Sequence, residues 1–483
     1  MSSESFISRN GHYLSISAGL ALSILMWALN PFHLDQNACR VIAVAALMIT
    51  WWITEALPMP VVALLPIVLF PLFKISTIKE TTAPYANEVV FLFMGGFMIG
   101  LAIEKWSLHK RIALSIVNYT GTSGNRIILG FILATGLISM WISNTATTMM
   151  MFPIAISVIN VIGNGKDGTS MRNFSLCLML AIAYASNFGG IATIIGTPPN
   201  VAYVSYISKK FNYEISFFDW AVLCLPIALT LMFSLYFVSV KILFPNKISS
   251  SPEMQELIRS ELLALGPLSK SEKRVLTVFL FTALMWMTRD LINQLGIVKL
   301  DDNMIAIMGA LLLFIVPSGV NGTKLLDWSD TSKMAWGILL LFGGGITLAT
   351  AMEKAGLMDM LGQWIASYSG TDLFVLLVVV TTVTIFLSEV MSNIAQVIVF
   401  APVVTSIAQA AGLNPLVLGI GMTLAASCAS MMPMGTPPNA IVFASGHVRM
   451  KDMMKAGLVM NLISILLIVL FCYYLLPGLM KIG

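Results

Sequence analysis

The stretch ISMWISNTATTMMMFP at residues 138–153 returns in altered form as LSEVMSNIAQVIVFAP at residues 387–402. Both copies place a Ser-Asn pair inside a run that is otherwise rich in apolar residues. The serines of the two pairs, Ser143 and Ser392, lie 249 positions apart (392 − 143). A repeated interruption of this kind predicts two structurally related halves, each with a break at the same place.

Two further blocks keep the same spacing. The Glu-Lys pair at Glu104 matches the one at Glu353, and YTGT from Tyr119 matches YSGT from Tyr368. Three separate blocks at one offset make chance a poor explanation, so we interpret the chain as an internal repeat. Repeats with interrupted helices are typical of secondary transporters, whose substrate sites lie at the repeat near the middle of the membrane.

A second motif pair reads IIGTPPNVA at residues 194–202 and PMGTPPNAI at residues 433–441. Two consecutive prolines remove two amide donors and end a helix, which frees the carbonyl oxygens just before the break. Glycine lets a ligand approach the backbone closely. The offset from Gly196 to Gly435 is 239 positions (435 − 196), so the second half has lost ten residues (249 − 239) between the two motifs.

The composition agrees with a membrane location. Of the 483 residues, 58% are hydrophobic and 10% are charged, whereas soluble chains carry about 25% charged residues. This excludes a soluble enzyme, a nucleic-acid binder and a disordered scaffold. The formal net charge of +4 fits loops that orient the protein in the membrane. The five cysteines and four histidines are scattered, so neither a disulfide framework nor a metal cluster is predicted.

The apolar runs predict roughly ten to twelve membrane spans of about 20 residues each, and hence an all-α polytopic protein. We interpret the N-terminal apolar stretch as a retained first span rather than a cleaved signal peptide. Residues 127–162 are too long for one span and predict a hairpin of two half-helices with the Ser-Asn-Thr segment at its tip. The longest polar stretch, residues 245–274, divides the halves, and its basic residues place it on the cytoplasmic side.

These pieces suit the binding of a cation together with an anion. Freed carbonyls, Asn oxygens and Ser hydroxyls can hold a small hard cation such as Na+. Helix N-termini and the Asn and Thr donors can hold an anion. Neither motif pair contains Lys or Arg, so an anion bound there needs cations to balance its charge. A single Ser-Asn-Thr often serves helix packing, but two motif pairs in repeat register favour the binding interpretation.

Two acidic residues lie in apolar surroundings. Glu389, four residues before Asn393, is a candidate for proton coupling because acids inside membrane segments are often functional. Its position in the first half is taken by Met140, so we favour a structural salt bridge or an interfacial position. For Glu55, just before a proline break, we also favour a structural role.

The paired motifs resemble those of the divalent anion:sodium symporter family, the INDY-type di- and tricarboxylate transporters. The resemblance runs from WWITEALP at Trp51 through SNTAT at Ser143 and the Ser-Asn pair at Ser392 to MGTPPNAIVFASGH from Met434. It implies about 11 transmembrane helices plus two re-entrant hairpins in two repeats. It also implies a homodimer in the plasma membrane (the bacterial inner membrane), with scaffold and transport domains that work by an elevator movement.

The resemblance suggests a division of the chain into segments. They are N-terminal scaffold helices (1–88), a first repeat with its hairpin (89–244), the cytoplasmic linker (245–274), further scaffold helices (275–334), a second repeat with its hairpin (335–455) and a C-terminal helix (456–483).

The resemblance also implies two groups of site residues. The expected Na+ ligands are Ser139, Ser143, Asn144 and Gly196 at the first site and Ser388, Ser392, Asn393 and Gly435 at the second. The expected substrate-binding residues are Asn144, Thr145, Thr197, Pro198, Ser392, Asn393, Thr436 and Pro437. Na+ is the coupling ion, and no organic cofactor is expected.

The expected function is Na+-coupled symport of C4-dicarboxylates such as succinate, malate and fumarate. One departure concerns substrate preference: Ile394 stands where many bacterial members have a threonine, which removes one hydroxyl donor. A Na+-independent dicarboxylate exchanger and a citrate or sulfate carrier of the same fold remain alternatives. A channel would differ by showing single-channel current. An intramembrane enzyme is disfavoured because the motifs lack a catalytic constellation.

Overall fold

The computed structural model of the chain describes residues 3–163, 168–249, 252–296, 298–320, 322–357, 360 and 372–479. Within these residues the fold is helical, and its β pairing is limited to the isolated bridge between Pro317 and Lys324. The sequence block at residues 368–371, one of the repeat matches, lies outside the described residues. The predicted all-α architecture is therefore confirmed for the described part of the chain.

The helices of the first half precede the linker. They are α1 (Ser3–Leu29), α2 (Gln36–Ile53), α3 (Met59–Val62), α4 (Leu65–Leu72), α5 (Ile78–Thr82), α6 (Glu88–Lys105), α7 (Leu108–Thr120), α8 (Gly124–Ser139), α9 (Asn144–Gly163), α10 (Thr169–Gly190), α11 (Pro198–Phe211) and α12 (Phe217–Phe237).

The linker and the second half supply the remaining helices. They are α13 (Pro252–Ala264), α14 (Lys270–Gln294), α15 (Asp302–Ile315), α16 (Trp336–Lys354), α17 (Leu373–Ser388), α18 (Asn393–Ala410), α19 (Pro415–Ala426), α20 (Pro437–Phe443), α21 (Met450–Leu470) and α22 (Leu476–Leu479).

Eight helical stretches of the described residues are long and apolar enough to cross a membrane, and six more are apolar but have only 10–17 residues. Such a mixture of full-length and short apolar helices is expected where several helices are interrupted at membrane depth. Non-helical backbone is tolerated there only when protein or a cavity surrounds it.

The Ser-Asn motifs lie at the turns of two helical hairpins. The first hairpin consists of α8 and α9, and the second of α17 and α18. The arms of the first hairpin have 16 and 20 residues, or about 24 and about 30 Å at 1.5 Å per residue. Two helical arms thus meet at the Ser-Asn-Thr segment, as the sequence predicts. α8 is largely buried against α10, so protein covers its apolar residues.

The two halves of the chain pack crosswise. α20, which follows the second Gly-Thr-Pro-Pro-Asn motif, packs on α9 and α10 of the first half. α11, which follows the first such motif, packs on α18 and α19 of the second half. The contact between α11 and α19 is close enough to need a glycine, because a Cβ on Gly419 would lie 2.2 Å from the Tyr203 hydroxyl. Each repeat thus places its motif helix on the other repeat's hairpin.

The linker marks one face of the molecule. Its helix α13 packs on α7 and α9, and Lys110 Nζ on α7 pairs with Glu261 Oε2 at 3.0 Å. α12 and the π-helical turn after it cover 27 residues, Phe217–Leu243, and lead into this linker. At about 1.5 Å per residue they extend about 40 Å, so the start of α12 lies at the opposite face.

The end of α11 lies at this opposite face, because α11 stops just before α12 begins. There Lys209 Nζ donates a hydrogen bond to Thr350 Oγ1 at 2.7 Å. Lys210 Nζ forms an ion pair with Glu353 Oε1 at 2.6 Å. Both partners are on α16, which also packs on α2, α3, α4 and α5. These contacts join a motif helix to the helices of the N-terminal segment.

Candidate functional site

The first break separates the two arms of the first hairpin. α8 ends at Ser139, residues 140–143 are not helical, and α9 begins at Asn144. The Ser139 hydroxyl donates to Asn144 Oδ1 at 2.7 Å. Ser143 Oγ accepts a hydrogen bond from the amide of Ala146 at 3.3 Å and so satisfies one free amide at the start of α9. The Ser-Asn pair therefore serves both to begin a helix and to present oxygen atoms.

The second break, residues 191–197, separates α10 from α11. Thr193 Oγ1 donates to the carbonyl of Met140 and accepts from the amide of Gly196 at 3.1 Å, which fastens this break to the hairpin. Asn200 Nδ2 donates to carbonyls in the same break, including Thr193 O at 2.8 Å. The Oδ1 atom of Asn200 is buried without a hydrogen-bond partner. Side chains thus hold the unwound backbone in place.

Oxygen atoms from both breaks converge around Gly190 and Gly196. A Cβ on Gly196 would lie 2.4 Å from Gly190 O and 3.0 Å from Ser139 O. A Cβ on Gly190 would lie 2.4 Å from Asn144 Oδ1. Only glycine leaves room for these carbonyl and amide oxygens to approach each other. Carbonyls at helix ends and in unwound segments are groups that hold Na+ in transporters with interrupted helices.

The second half has a related arrangement. α17 ends at Ser388 and α18 begins at Asn393. The Ser388 hydroxyl faces two acceptors, Ala426 O at 2.9 Å and Gln396 Oε1, although it has one proton to donate. Asn393 Oδ1 is buried without a hydrogen-bond partner. A Cβ on Gly435 would lie 3.3 Å from Ser388 O. The cluster therefore has more oxygen acceptors than donors.

Glu389 has a role that its sequence context did not indicate. It is only 4% exposed. Its carboxylate accepts from the backbone amides of Ser430, Met431 and Met432 at 2.8–2.9 Å and from Asn461 Nδ2 at 2.7 Å. None of these partners is cationic, so the favoured structural salt bridge is wrong. Glu389 instead fixes the unwound segment before the second Gly-Thr-Pro-Pro-Asn motif, because four donors satisfy a buried charge.

The expected substrate-binding residues lie at the turns and helix starts. Thr197 and Thr436 are each 4% exposed and directly precede α11 and α20. Asn144, Thr145, Pro198, Ser392 and Asn393 are partly buried, and Pro437 is exposed. The structure brings Ser139, Asn144 and Gly196 together in the first half, and Ser388 and Gly435 together in the second half. Within the described residues, no hydrogen bond joins Asn144 to Asn393.

Several polar residues of this region were not expected from the sequence. They are Asn187, Thr193, Gln396 and Asn461. Each is a polar residue within or beside a largely apolar stretch, which is the signal that could have singled it out. Gln396 stands where the first half has Thr147, so the repeat comparison does not point to an amide at this position.

The chain was compared with known proteins. A family model described as the sodium:sulfate symporter transmembrane region matches residues 11–480. The sodium-dependent dicarboxylate transporter SdcS of Staphylococcus saprophyticus is 38% identical over 472 residues, covering 95% of this chain and 91% of that protein. SdcS of Staphylococcus aureus strain USA300 is 37% identical with the same coverage.

A solved structure extends the comparison to the fold. The Alcanivorax borkumensis YdaH transporter aligns with a TM-score of 0.57 at 14% identity, covering 82% of this chain and 86% of that one. At this identity the likeness concerns the fold alone. It agrees with a helical membrane protein that has several apolar helices.

The apolar helices and the paired interruptions at membrane depth define a multi-pass membrane transporter. The chain belongs to the sodium:sulfate symporter transmembrane family. Its members are transporters rather than enzymes, and the membership places this protein in the plasma membrane.

Proposed function

We propose that this protein is a Na+-coupled symporter of C4-dicarboxylates such as succinate, malate and fumarate. The observation that carries the proposal is the pair of oxygen clusters at the two hairpin turns. Both clusters are built from carbonyl, hydroxyl and amide oxygens. Asn393 Oδ1 at the second cluster and Asn200 Oδ1 in the break beside the first are buried without a hydrogen-bond partner. Such sites are suited to a small hard cation.

In this proposal the first Na+ is bound by Ser139, Ser143, Asn144 and the backbone of Gly196. The second is bound by Ser388, Ser392, Asn393 and the backbone of Gly435. The donors for the substrate carboxylates are Asn144, Thr145, Thr197, Ser392, Asn393 and Thr436, with Pro198 and Pro437 shaping the site. The amide groups of Asn144 and Asn393 each offer an oxygen to Na+ and an N–H group to the substrate, so one side chain can serve both ligands.

The charges support coupled binding. Neither motif pair contains Lys or Arg, and the carboxylate of Glu389 is already held by backbone amides. A dianion entering this region needs positive charge to offset its loss of hydration, and bound Na+ supplies it. The names of the Staphylococcus relatives, sodium-dependent dicarboxylate transporters, agree with this pairing of ions.

Substrate class is tested by uptake of labelled succinate into proteoliposomes at saturating Na+, with unlabelled competitors. We expect malate and fumarate to compete with succinate more effectively than citrate or sulfate, because the site offers two groups of carboxylate donors, one at each hairpin, and Ile394 removes one further hydroxyl donor. Stronger competition by sulfate would assign the protein to inorganic anion transport, in line with the family's description. Stronger competition by citrate would assign it to tricarboxylates.

The proposal includes an elevator movement within a homodimer. The moving domain would contain both hairpins together with α10, α11, α19 and α20, because these helices pack crosswise on one another. The scaffold would contain α2 to α6 and α14 to α16. α6 and α16 lie in the segments expected to form the first and second repeats. The packing of α6 on α14 and α15, and of α16 on α2 to α5, supports placing both with the scaffold. A homodimer would give the two moving domains a stationary frame.

A further inference from the structure

Asn187 connects the two repeats through hydrogen bonds. It lies near the end of α10 and is 1% exposed. Its Oδ1 atom accepts from Asn144 Nδ2 at 3.4 Å, and its Nδ2 atom donates to Thr436 Oγ1 at 3.1 Å. One buried amide thus joins an expected Na+ ligand of the first half to an expected substrate ligand of the second half.

The direction of these hydrogen bonds follows from the neighbours. Asn144 Oδ1 already accepts from the Ser139 hydroxyl, so the Nδ2 of Asn144 faces Asn187 and needs an acceptor there. Asn187 must then turn its own Nδ2 toward Thr436. Thr436 Oγ1 also accepts from the amide of Asn439 at 3.4 Å. With two N–H groups pointing at this oxygen, the hydroxyl proton of Thr436 is left to donate elsewhere.

The link exists in one half only. The residue equivalent to Asn187 in the second half is Ala426 (187 + 239), whose carbonyl accepts from the Ser388 hydroxyl instead. Thr197, the equivalent of Thr436, makes no side-chain hydrogen bond at the start of its helix. The hydrogen bonds from Asn144 through Asn187 to Thr436 are therefore a specific connection between the first oxygen cluster and the second Gly-Thr-Pro-Pro-Asn motif. Repeat symmetry does not require this connection.

Building on the proposed function, we propose that Asn187 is a positioning residue that couples Na+ binding at the first site to substrate binding at Thr436. Na+ bound to Asn144 Oδ1 fixes the orientation of that amide. The orientation of the Asn187 amide is then fixed as well, because its Oδ1 must face the Nδ2 of Asn144. The hydroxyl of Thr436 then points away from Asn187 and can donate to a substrate carboxylate.

The test measures the KM for succinate in proteoliposomes below and above the half-saturating Na+ concentration. Coupling between two sites usually changes affinity about 5-fold to about 150-fold, and we expect the wild type to fall in this range. In Asn187→Ala the ratio of the two KM values should fall below the wild-type ratio, to the part of the coupling that charge balance alone supplies, while the maximal rate at saturating Na+ and succinate stays close to wild type. A purely structural role would lower the maximal rate and leave the ratio unchanged.

Two further variants sharpen the test. Asn187→Asp keeps an acceptor for Asn144 but cannot donate to Thr436, so it should also reduce the Na+ dependence of KM. Ser186→Ala is the matched control, because Ser186 accepts from Thr148 Oγ1 at 3.0 Å between the same two helices without contacting Thr436 by a hydrogen bond. It should keep the wild-type ratio. If Asn187→Ala does not fold, Asn187→Asp carries the test.

The outcomes separate the two proposals. A wild type whose succinate KM does not change with Na+ would overturn the proposed symport, and the coupling role with it. A Na+-dependent wild type whose KM ratio is unchanged in both Asn187 variants would overturn the coupling role alone.

Discussion

Replacing Asn144 or Asn393 with alanine is expected to lower Na+-driven succinate uptake by at least about tenfold. Even the outer partners of metal ligands change metal affinity about 10-fold to about 100-fold when they are removed, and here a direct ligand is lost. Asn144 Oδ1 belongs to the first oxygen cluster, and Asn393 Oδ1 is buried with no protein donor to satisfy it. Each variant should also need more Na+ for half-maximal uptake.

Matched controls lie on the same helices. Asn160 on α9 and Gln409 on α18 are exposed amide residues far along the helix from the hairpin turn. Asn160→Ala and Gln409→Ala should leave uptake and its Na+ dependence unchanged. Wild-type uptake by Asn144→Ala and Asn393→Ala, at equal amounts of folded protein, would show that the ion sites are elsewhere.

The second prediction with a large expected effect concerns the movement of α11 relative to α16. In the double variant Lys210→Cys with Glu353→Cys, a short bifunctional thiol reagent with a reducible bond should join α11 to α16. Uptake should then fall to the level of protein-free liposomes and return after reduction. The reason is that the Lys210–Glu353 ion pair ties a motif helix to a helix packed on the N-terminal segment, and the proposed elevator must separate these two helices.

The native cysteines should not interfere with this cross-linking experiment. All five native cysteines are buried, so the reagent should reach mainly the introduced pair. Each single cysteine variant, treated in the same way, should keep its uptake, and so should the untreated double variant, because exposed ion pairs contribute only about 0–1 kcal/mol. Normal uptake by protein whose cross-link has been verified by mass spectrometry would contradict the movement of α11 relative to α16.

Much of the architecture could be predicted from the sequence because it depends on local chemistry. The low charge content indicates the membrane, and the doubled prolines mark helix boundaries. They form the first turns of α11 and α20, however, and do not end α10 and α19 as expected, because those helices already stop at Gly190 and Ala426. The Ser-Asn pairs mark the hairpin turns because a serine or asparagine favours a helix start. The membrane class and the family resemblance are accordingly confirmed by the comparisons.

Other features depend on contacts between distant segments, which no local pattern specifies. The crosswise packing of α11 and α20 is one example. Asn187 is another, since its proposed role depends on a hydrogen bond to Thr436, 249 positions further along the chain (436 − 187). The environment of Glu389 is a third: the sequence shows an acid in an apolar stretch, but only the fold brings three backbone amides and Asn461 to it.

The central claim is that a Na+ gradient drives dicarboxylate uptake through these two clusters. The direct measurement is the time course of labelled succinate in proteoliposomes given an inward Na+ gradient and, separately, an equal K+ gradient. We predict accumulation inside the vesicles above the external concentration with Na+ and none with K+. Equal uptake in both buffers, or exchange with internal succinate that needs no Na+, would contradict the claim and favour an exchanger.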